Sequence, residues 1–404
     1  MWTIHWNEVK PEYLGAETFE AVAKQTDNSD LIESPFFPNQ RLASIQGSYS
    51  SLGSKTGRCE LRVFDGAAKR YIYISSKAVL DSIDDEPTGL DAYEKVNGLF
   101  EERYKESIFT AFSGREHKEE YKAIKNCVPI QISYANPRFL GKIIPGVYKA
   151  DISSAFPSKI VGKKLPMLDG CKRAAGRVKP TEEYPFAFYV NSHHLAIYGE
   201  LDTRDFDCEY YGTYYKETYK DDVKEEETIL CKACDKSLDA PFTYLYEHRN
   251  ESKDFKFYMN ACIGYFHKRS NPTLSAIAAV VIARCDWDMI SRCNKLREDR
   301  NIVLFIATDS IAWAGRENDI ATEDKYLGSF TYESKNCRFY AIGPKAYQVE
   351  SDGKVITKYA GMSKAKQESI AFGMLEYDAK YSEERIYQLA KTEKKGIYYP
   401  ERVM

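Results

Sequence analysis

Two aspartates constrain what this chain can fold into more than anything else in it. The first closes the strand-like run Val147-Tyr-Lys-Ala-Asp151, and the following Ile152-Ser153-Ser154-Ala155-Phe156-Pro157-Ser158 turns into what reads as a helix start. The second lies roughly 150 residues on, where Val303-Leu-Phe-Ile-Ala307 enters the polar turn Thr308-Asp309-Ser310 and leaves as a second apolar run, the pattern of a hairpin with an aspartate at its bend. Two strand-end carboxylates can converge on the edge of one sheet. Converging carboxylates suit Mg²⁺, which keeps several waters and takes only one or two protein carboxylates per ion. Backbone N–H groups opening a helix after Asp151 would face the phosphates such an ion carries. The alternative is that each aspartate only caps its own turn.

A chain of 404 residues can bury at least one large core and is expected to form two or three domains or subdomains. With 57 basic against 60 acidic residues the net charge is −3, so any nucleic-acid site must be a local basic groove. The 31 tyrosines are core filling first and base-stacking platforms second. Ten scattered cysteines, no cleavable signal pattern and no run long enough to span a bilayer predict reduced thiols in a cytoplasmic protein without membrane contact. Cys231-Lys-Ala-Cys234 would need donors such as Cys208, His193 or His194 to bind zinc, and two loop cysteines are the simpler reading.

Residues 1–140 carry few chemical signals: a hairpin about Asp65-Gly66, then charged helical segments from Leu90 to Phe109 and Glu116 to Lys125. Beyond Asp151 a basic run (Lys159, Lys163, Lys164, Lys172, Arg173, Arg177, Lys179) is either a solvated face or a phosphate contact, and residues 184–200 read as two strands. Farther on, Arg249, Lys253, Lys256 and Asn260 recur at helical spacing, so one helix would carry them on a single face, with Met259, Cys262 and Ile263 behind. Such a stripe could reach a triphosphate or could simply be solvated. A second long helix is expected from Pro272 to Leu296. The segment from Phe339 to Met362 reads as a hairpin turning at Asp352-Gly353.

Taken in order, these stretches resemble family B DNA polymerases. Asp151-Ile-Ser-Ser-Ala-Phe-Pro-Ser158 resembles the family's Asp-x-x-Ser-Leu-Tyr-Pro-Ser, Lys256-x-x-x-Asn260-x-x-x-Gly264 its Lys-x-x-x-Asn-Ser-x-Tyr-Gly, Ala307-Thr-Asp-Ser310 its Asp-Thr-Asp-Ser, and Lys345-Ala-Tyr347 its Lys-x-Tyr. The run from Lys325 to Ser334 and Ala360-Gly-Met362 resemble the protein-primed phage and linear-plasmid branch.

The resemblance implies an α+β right-hand polymerase behind an N-terminal α+β domain (1–140): an antiparallel-sheet palm (141–243 and 298–365), two-helix fingers (244–297) and a small thumb (366–404). It implies two Mg²⁺ ions, with Mn²⁺ able to substitute, on Asp151, Asp309 and the Ile152 carbonyl. Ser153, Ser154, Ala155, Phe156, Arg249, Lys253, Lys256 and Asn260 would bind the nucleotide, with Phe156 at the family's sugar-gate tyrosine. Tyr134, Gly264, Thr308, Lys345 and Tyr347 would contact DNA. Partners would be primer-template DNA, dNTPs and a priming or other replication protein, in a bacterial host's cytoplasm if the chain is viral. The family's exonuclease is marked by an Asp-x-Glu on a strand, and without a convincing one in the N-terminal third the resemblance implies no proofreading. Ala307, where the family has an aspartate, leaves open a weakened palm serving as a DNA-binding accessory, and the altered sugar gate leaves open a primase-like or template-independent nucleotidyltransferase.

Overall fold

The computed structural model describes residues 2–4, 45–47, 61–65, 70–74 and 89–376, except 114–119, 121–122, 130–131, 207–209, 211–222, 224, 268–273 and 360–366. The chain divides into two compact units, residues 1–91 and 92–404. In the first, β1 (Trp2–Ile4), β2 (Ile45–Gly47), β3 (Leu61–Asp65) and β4 (Arg70–Ile74) form an antiparallel sheet in chain order. The hairpin expected about Asp65-Gly66 is β3–β4, with Asp65 opposite Arg70.

Helices α1 (Gly89–Tyr104) and α2 (Ile108–Ser113) follow, then β5 (Ser133–Ala135), β6 (Ile144–Ile152) and the single turn α3 (Ala155–Ser158). Next come β7 (Pro166–Ala175), β8 (Phe186–Tyr189), β9 (His194–Ile197), β10 (Leu201–Asp202) and β11 (Glu227–Ala233). Three helices, α4 (Asp239–Glu247), α5 (Lys253–His267) and α6 (Ser275–Glu298), precede β12 (Ile302–Ala307), β13 (Ser310–Ala314), β14 (Phe330–Gly343), β15 (Ala346–Ser351) and β16 (Lys354–Tyr359). The strands make two antiparallel sheets, one ordered β16-β15-β14-β6-β13-β12-β5 and the other β10-β9-β8-β11-β7. Helices with antiparallel sheets are the architecture expected. Among the described residues no helix is long and apolar enough to cross a membrane.

The first half of α6 explains how the sheets are held. Ala276, Ile277, Ala278, Ala279, Val280, Val281, Ile282 and Ala283 are all buried, and a helix apolar on every side belongs inside a core. Its alanines let α6 touch β12 and β13 on one sheet and β7 on the other. Arg284, buried on the same helix, is neutralised by Glu200 through two charge-assisted hydrogen bonds, Nε to Oε2 and Nη2 to Oε1, each 2.7 Å, and donates to the Lys164 carbonyl at 3.0 Å.

Strand β6 occupies the middle of the larger sheet, flanked by β13 and β14. Its period-2 alternation sends Tyr148, Ala150 and Ile152 into the core shared with α6, where Tyr148 stacks on Trp313 at 5.8 Å. Val147, Lys149 and Asp151 face the other way.

Several expectations need correction. The two compact units divide at 91/92, while β5 is hydrogen-bonded to β12 and Ala92, Val96 and Phe100 join the main core. The basic stripe is not one helix: α4 ends at Glu247 and α5 begins at Lys253, leaving Arg249 in the turn between them. The C-terminal hairpin is a three-stranded meander, since a second turn at Pro344-Lys345, with Lys345 at φ 62°, splits its first arm into β14 and β15. Beyond it the described residues stop at Glu376, with Leu375 buried against Tyr340 and Ala346. Most of the segment expected as a thumb therefore lies outside them.

Gly328 shows how tightly the turn after Asp151 is clamped. Its N–H donates to the Ser153 carbonyl at 2.9 Å, the Ser153 N–H donates to Ser329 at 2.8 Å, and a Cβ on Gly328 would stand 2.8 Å from Ser158 Cβ at a φ of +80°. Gly328→Ala is therefore expected to cost on the order of 2 kcal/mol, read as a lowered urea midpoint at unchanged m-value.

Candidate active site

The registers of five strands bring one row of side chains onto a single sheet face: Ser133 on β5, Ala307 on β12, Ser310 on β13, Asp151 on β6 and Thr331 on β14. Asp309 sits in the β12–β13 turn beside that row, and its carbonyl accepts the Ile152 N–H at 2.8 Å. The two aspartates thus end up side by side, as their strand-end positions suggested.

The turn is held from the interior. The Asp286 carboxylate of α6 accepts the Ile132 N–H at 3.3 Å, and the Ile132 carbonyl accepts the Thr308 N–H at 3.1 Å. Thr308 is β-branched yet lies at φ 52°, and Ser154, just after Asp151, lies at φ 54°. Non-glycine residues in the left-handed region cost free energy that surrounding contacts must offset, and such residues cluster at functional sites.

Electrostatics register the convergence. Burial, and next the nearby Asp151 carboxylate, raise the Asp309 pKa from 3.8 to about 6, while Lys149 and Lys256 pull it down. Burial holds the Lys149 ammonium down to about 8 although Asp151 and Asp309 favour its charged form. Lys149 is ion-paired with Glu333 and lies 5.6 Å from the centre of the Tyr347 ring. The Tyr347 phenol is pushed up to about 12 by burial and then by the two aspartates. Thr331 Oγ1, buried next to Asp151, and Ser133 Oγ, next to Ala307, have no hydrogen-bond partner among the described residues.

Of the expected residues, Lys256 reaches the site electrostatically from α5, and Lys256, Asn260 and Gly264 are exposed at successive turns of that helix while Met259, Cys262 and Ile263 are buried. Lys253 opens the same helix. Phe156 is half-buried on α3, a turn that touches α4, α5 and α6. Ser154 and Ala155 start α3, whereas Ser153 is buried with its N–H and carbonyl engaged by Ser329 and Gly328.

Two of the expected residues make contacts within the protein. Arg249 Nη1 donates to the Tyr246 carbonyl at 2.6 Å and its guanidinium lies 3.7 Å from the Tyr246 ring centre. Tyr134 belongs to β5 and meets Tyr210 edge-on at 5.4 Å against the core. Lys345 lies in the β14–β15 turn, and Tyr347, on β15, is packed among Phe305 and Phe339 with 8% of its surface exposed.

Within the basic run Lys159 pairs with Asp288 at 2.6 Å, Arg173 with Glu227 at 2.6 Å and Arg177 with Glu226 at 3.6 Å, the first pair largely buried and the second exposed. Cys231 and Cys234 are buried, with Cys234 Sγ 3.6 Å from the Ala111 carbonyl. The residue that sequence reasoning missed is Lys149. Its signal was a lysine on the Asp151 side of an otherwise apolar alternation.

No family model matches the chain, and no curated protein matches it. The fold is nonetheless shared with solved polymerases. Phi29 DNA polymerase complexed with single-stranded DNA aligns at TM-score 0.55 and 17% identity, over 88% of this chain and 72% of that one. The same polymerase in its ternary complex with primer-template DNA and incoming nucleotide aligns at 0.54 and 17% identity, over 74% and 65%. Identity this low establishes a common fold and nothing finer.

The raised Asp309 pKa makes a signed prediction. A carboxyl with a higher pKa folded than unfolded destabilises the protein as pH rises from 3.8 to about 6, and the loss is complete above that window. Asp309→Asn, which cannot ionise, is expected to exceed the wild type in urea stability by on the order of 1–2 kcal/mol at neutral pH. The two midpoints should approach one another when the titration is repeated at the acid end of the window.

Proposed function

We propose that this chain is a template-directed DNA polymerase that adds deoxynucleotides to a primer 3′-OH. One observation carries the reading: Asp151, near the end of the central strand β6, and Asp309, in the β12–β13 turn, are adjacent with Lys256 in electrostatic reach, in a fold shared with phi29 DNA polymerase. In this reading the larger sheet is the palm, α5 and α6 are the fingers, and the segment from residue 366 belongs to a thumb.

The donor set suits hard divalent cations: two carboxylates that repel each other, with an unpartnered hydroxyl on Thr331 beside Asp151. Asp151, Asp309 and the Ile152 carbonyl would hold two Mg²⁺ ions, which when bound lower the pKa of the attacking hydroxyl and neutralise the leaving pyrophosphate. The protein's own part is positioning and charge. Lys256 neutralises the triphosphate from α5, and Asn260, one turn along, lies over the nascent pair. The N–H groups of Ser154 and Ala155 approach the phosphates. The Phe156 ring stands under the sugar, where it can exclude a 2′-OH by contact alone. Tyr347 and Lys345 support the primer end.

A second reading, a palm that binds primer-template DNA without efficient turnover, is favoured by Ala307, whose methyl stands in the central row where the resembling family has a carboxylate. A primed template with dNTPs and Mg²⁺ separates the two. Extension is expected from the wild type, with at least about a hundredfold loss in Asp309→Ala and about a tenfold rise in the KM for dNTP in Lys256→Ala. A wild type that fails to extend and matches Asp309→Ala would leave only the binding role.

A further inference from the structure

Among the described residues Lys149 is the only lysine with less than a tenth of its surface exposed, at 5%. It lies two positions before Asp151 on the same strand face, beside the small Ala312 in the neighbouring strand. Burying an ammonium is costly unless nearby charge compensates, and Lys149 has three anions about it: Glu333, paired with it directly, and Asp151 and Asp309 in electrostatic range. Glu333 is 42% exposed, so water screens much of its charge. Counting Lys149 with the two aspartates alone, the floor of the site carries a formal −1, and with the partly screened Glu333 a formal −2. Lys256 and Lys358 add further positive potential, the first toward Asp309 and the second toward Lys149.

A divalent cation arriving alone meets a weak acidic pair with a buried positive charge next to it. A cation arriving on a triphosphate brings several negative charges of its own, and these are attracted by the same ammonium. We infer that Lys149 is a positioning residue that keeps the two carboxylates together in the nucleotide-free protein and makes their uptake of divalent cations conditional on a nucleotide's phosphates. The inference rests on the polymerase reading of Asp151 and Asp309, and goes beyond it by assigning how the site is loaded.

The test measures Mn²⁺ retained by the full-length protein, from the free Mn²⁺ signal in electron paramagnetic resonance, with and without a non-hydrolysable dNTP analogue. Lys149→Met keeps the side-chain length and its packing on Tyr347 while removing the charge; Lys149→Gln is a second charge-free variant, and thermal unfolding confirms that each is folded. Without nucleotide, the charge-free variants are expected to bind Mn²⁺ about tenfold or more tightly than the wild type, and the analogue should improve wild-type binding by a larger factor than theirs. If they match the wild type while Asp309→Ala still abolishes the bound Mn²⁺, the role given to Lys149 is wrong and the metal site stands. If no Mn²⁺ binding depends on Asp309 with or without the analogue, the metal reading falls and the inference falls with it.

Discussion

Two carboxylates of like charge, pressed together at the ends of adjacent strands and partly withdrawn from water, are the arrangement on which the rest of this molecule depends. Their repulsion and desolvation show in the raised pKa of Asp309, and left alone the pair would separate or protonate. The fold prevents separation by making the placement a matter of sheet register. Asp151 is held in register opposite Ser310 on one side and Thr331 on the other, and Asp309 by the N–H that Ile152 donates to its carbonyl. A one-residue slip of β6 would turn Asp151 into the core and Ala150 outward, exchanging a buried apolar contact for a buried charge.

The support for that register comes from far away. The Asp286 carboxylate on α6 grips Ile132, and Ile132 in turn holds the N–H of Thr308, so the turn bearing Asp309 is tied to the most deeply buried helix. Arg284 on the same helix is tied to Glu200 before β10 and to the Lys164 carbonyl in the segment between α3 and β7. Backbone strain at Thr308 and Ser154 is tolerated because both flank segments locked in this way. Lys149 adds the electrostatic counterpart: an ammonium that would be unfavourable in an apolar interior is retained where two carboxylates need it, and the carboxylates tolerate burial because it is there.

Legibility in the sequence followed the range of the interaction responsible. The strand and hairpin patterns around Asp151 and Asp309, the exposed Lys256–Asn260–Gly264 stripe and the long α6 could be read because each depends on local periodicity. The extension of the stripe back to Arg249 failed for a local reason too: helical spacing continues through Glu251 and Ser252, but the chain turns there, and Arg249 closes onto the Tyr246 ring. Strand β5 is only three residues long, too short to announce that it completes a sheet whose other strands lie elsewhere in the chain.

The sequence by itself determined that two aspartates would stand at strand ends and that a basic helix with an apolar back would lie between them, since side-chain period and turn chemistry are properties of neighbouring residues. Only the tertiary structure decided that those carboxylates share one row with Ser133, Ala307, Ser310 and Thr331, and that Lys149 lies buried among them. Cross-strand pairing joins residues more than a hundred positions apart, and the desolvation that shifts their charges exists only once the sheets have closed on α6.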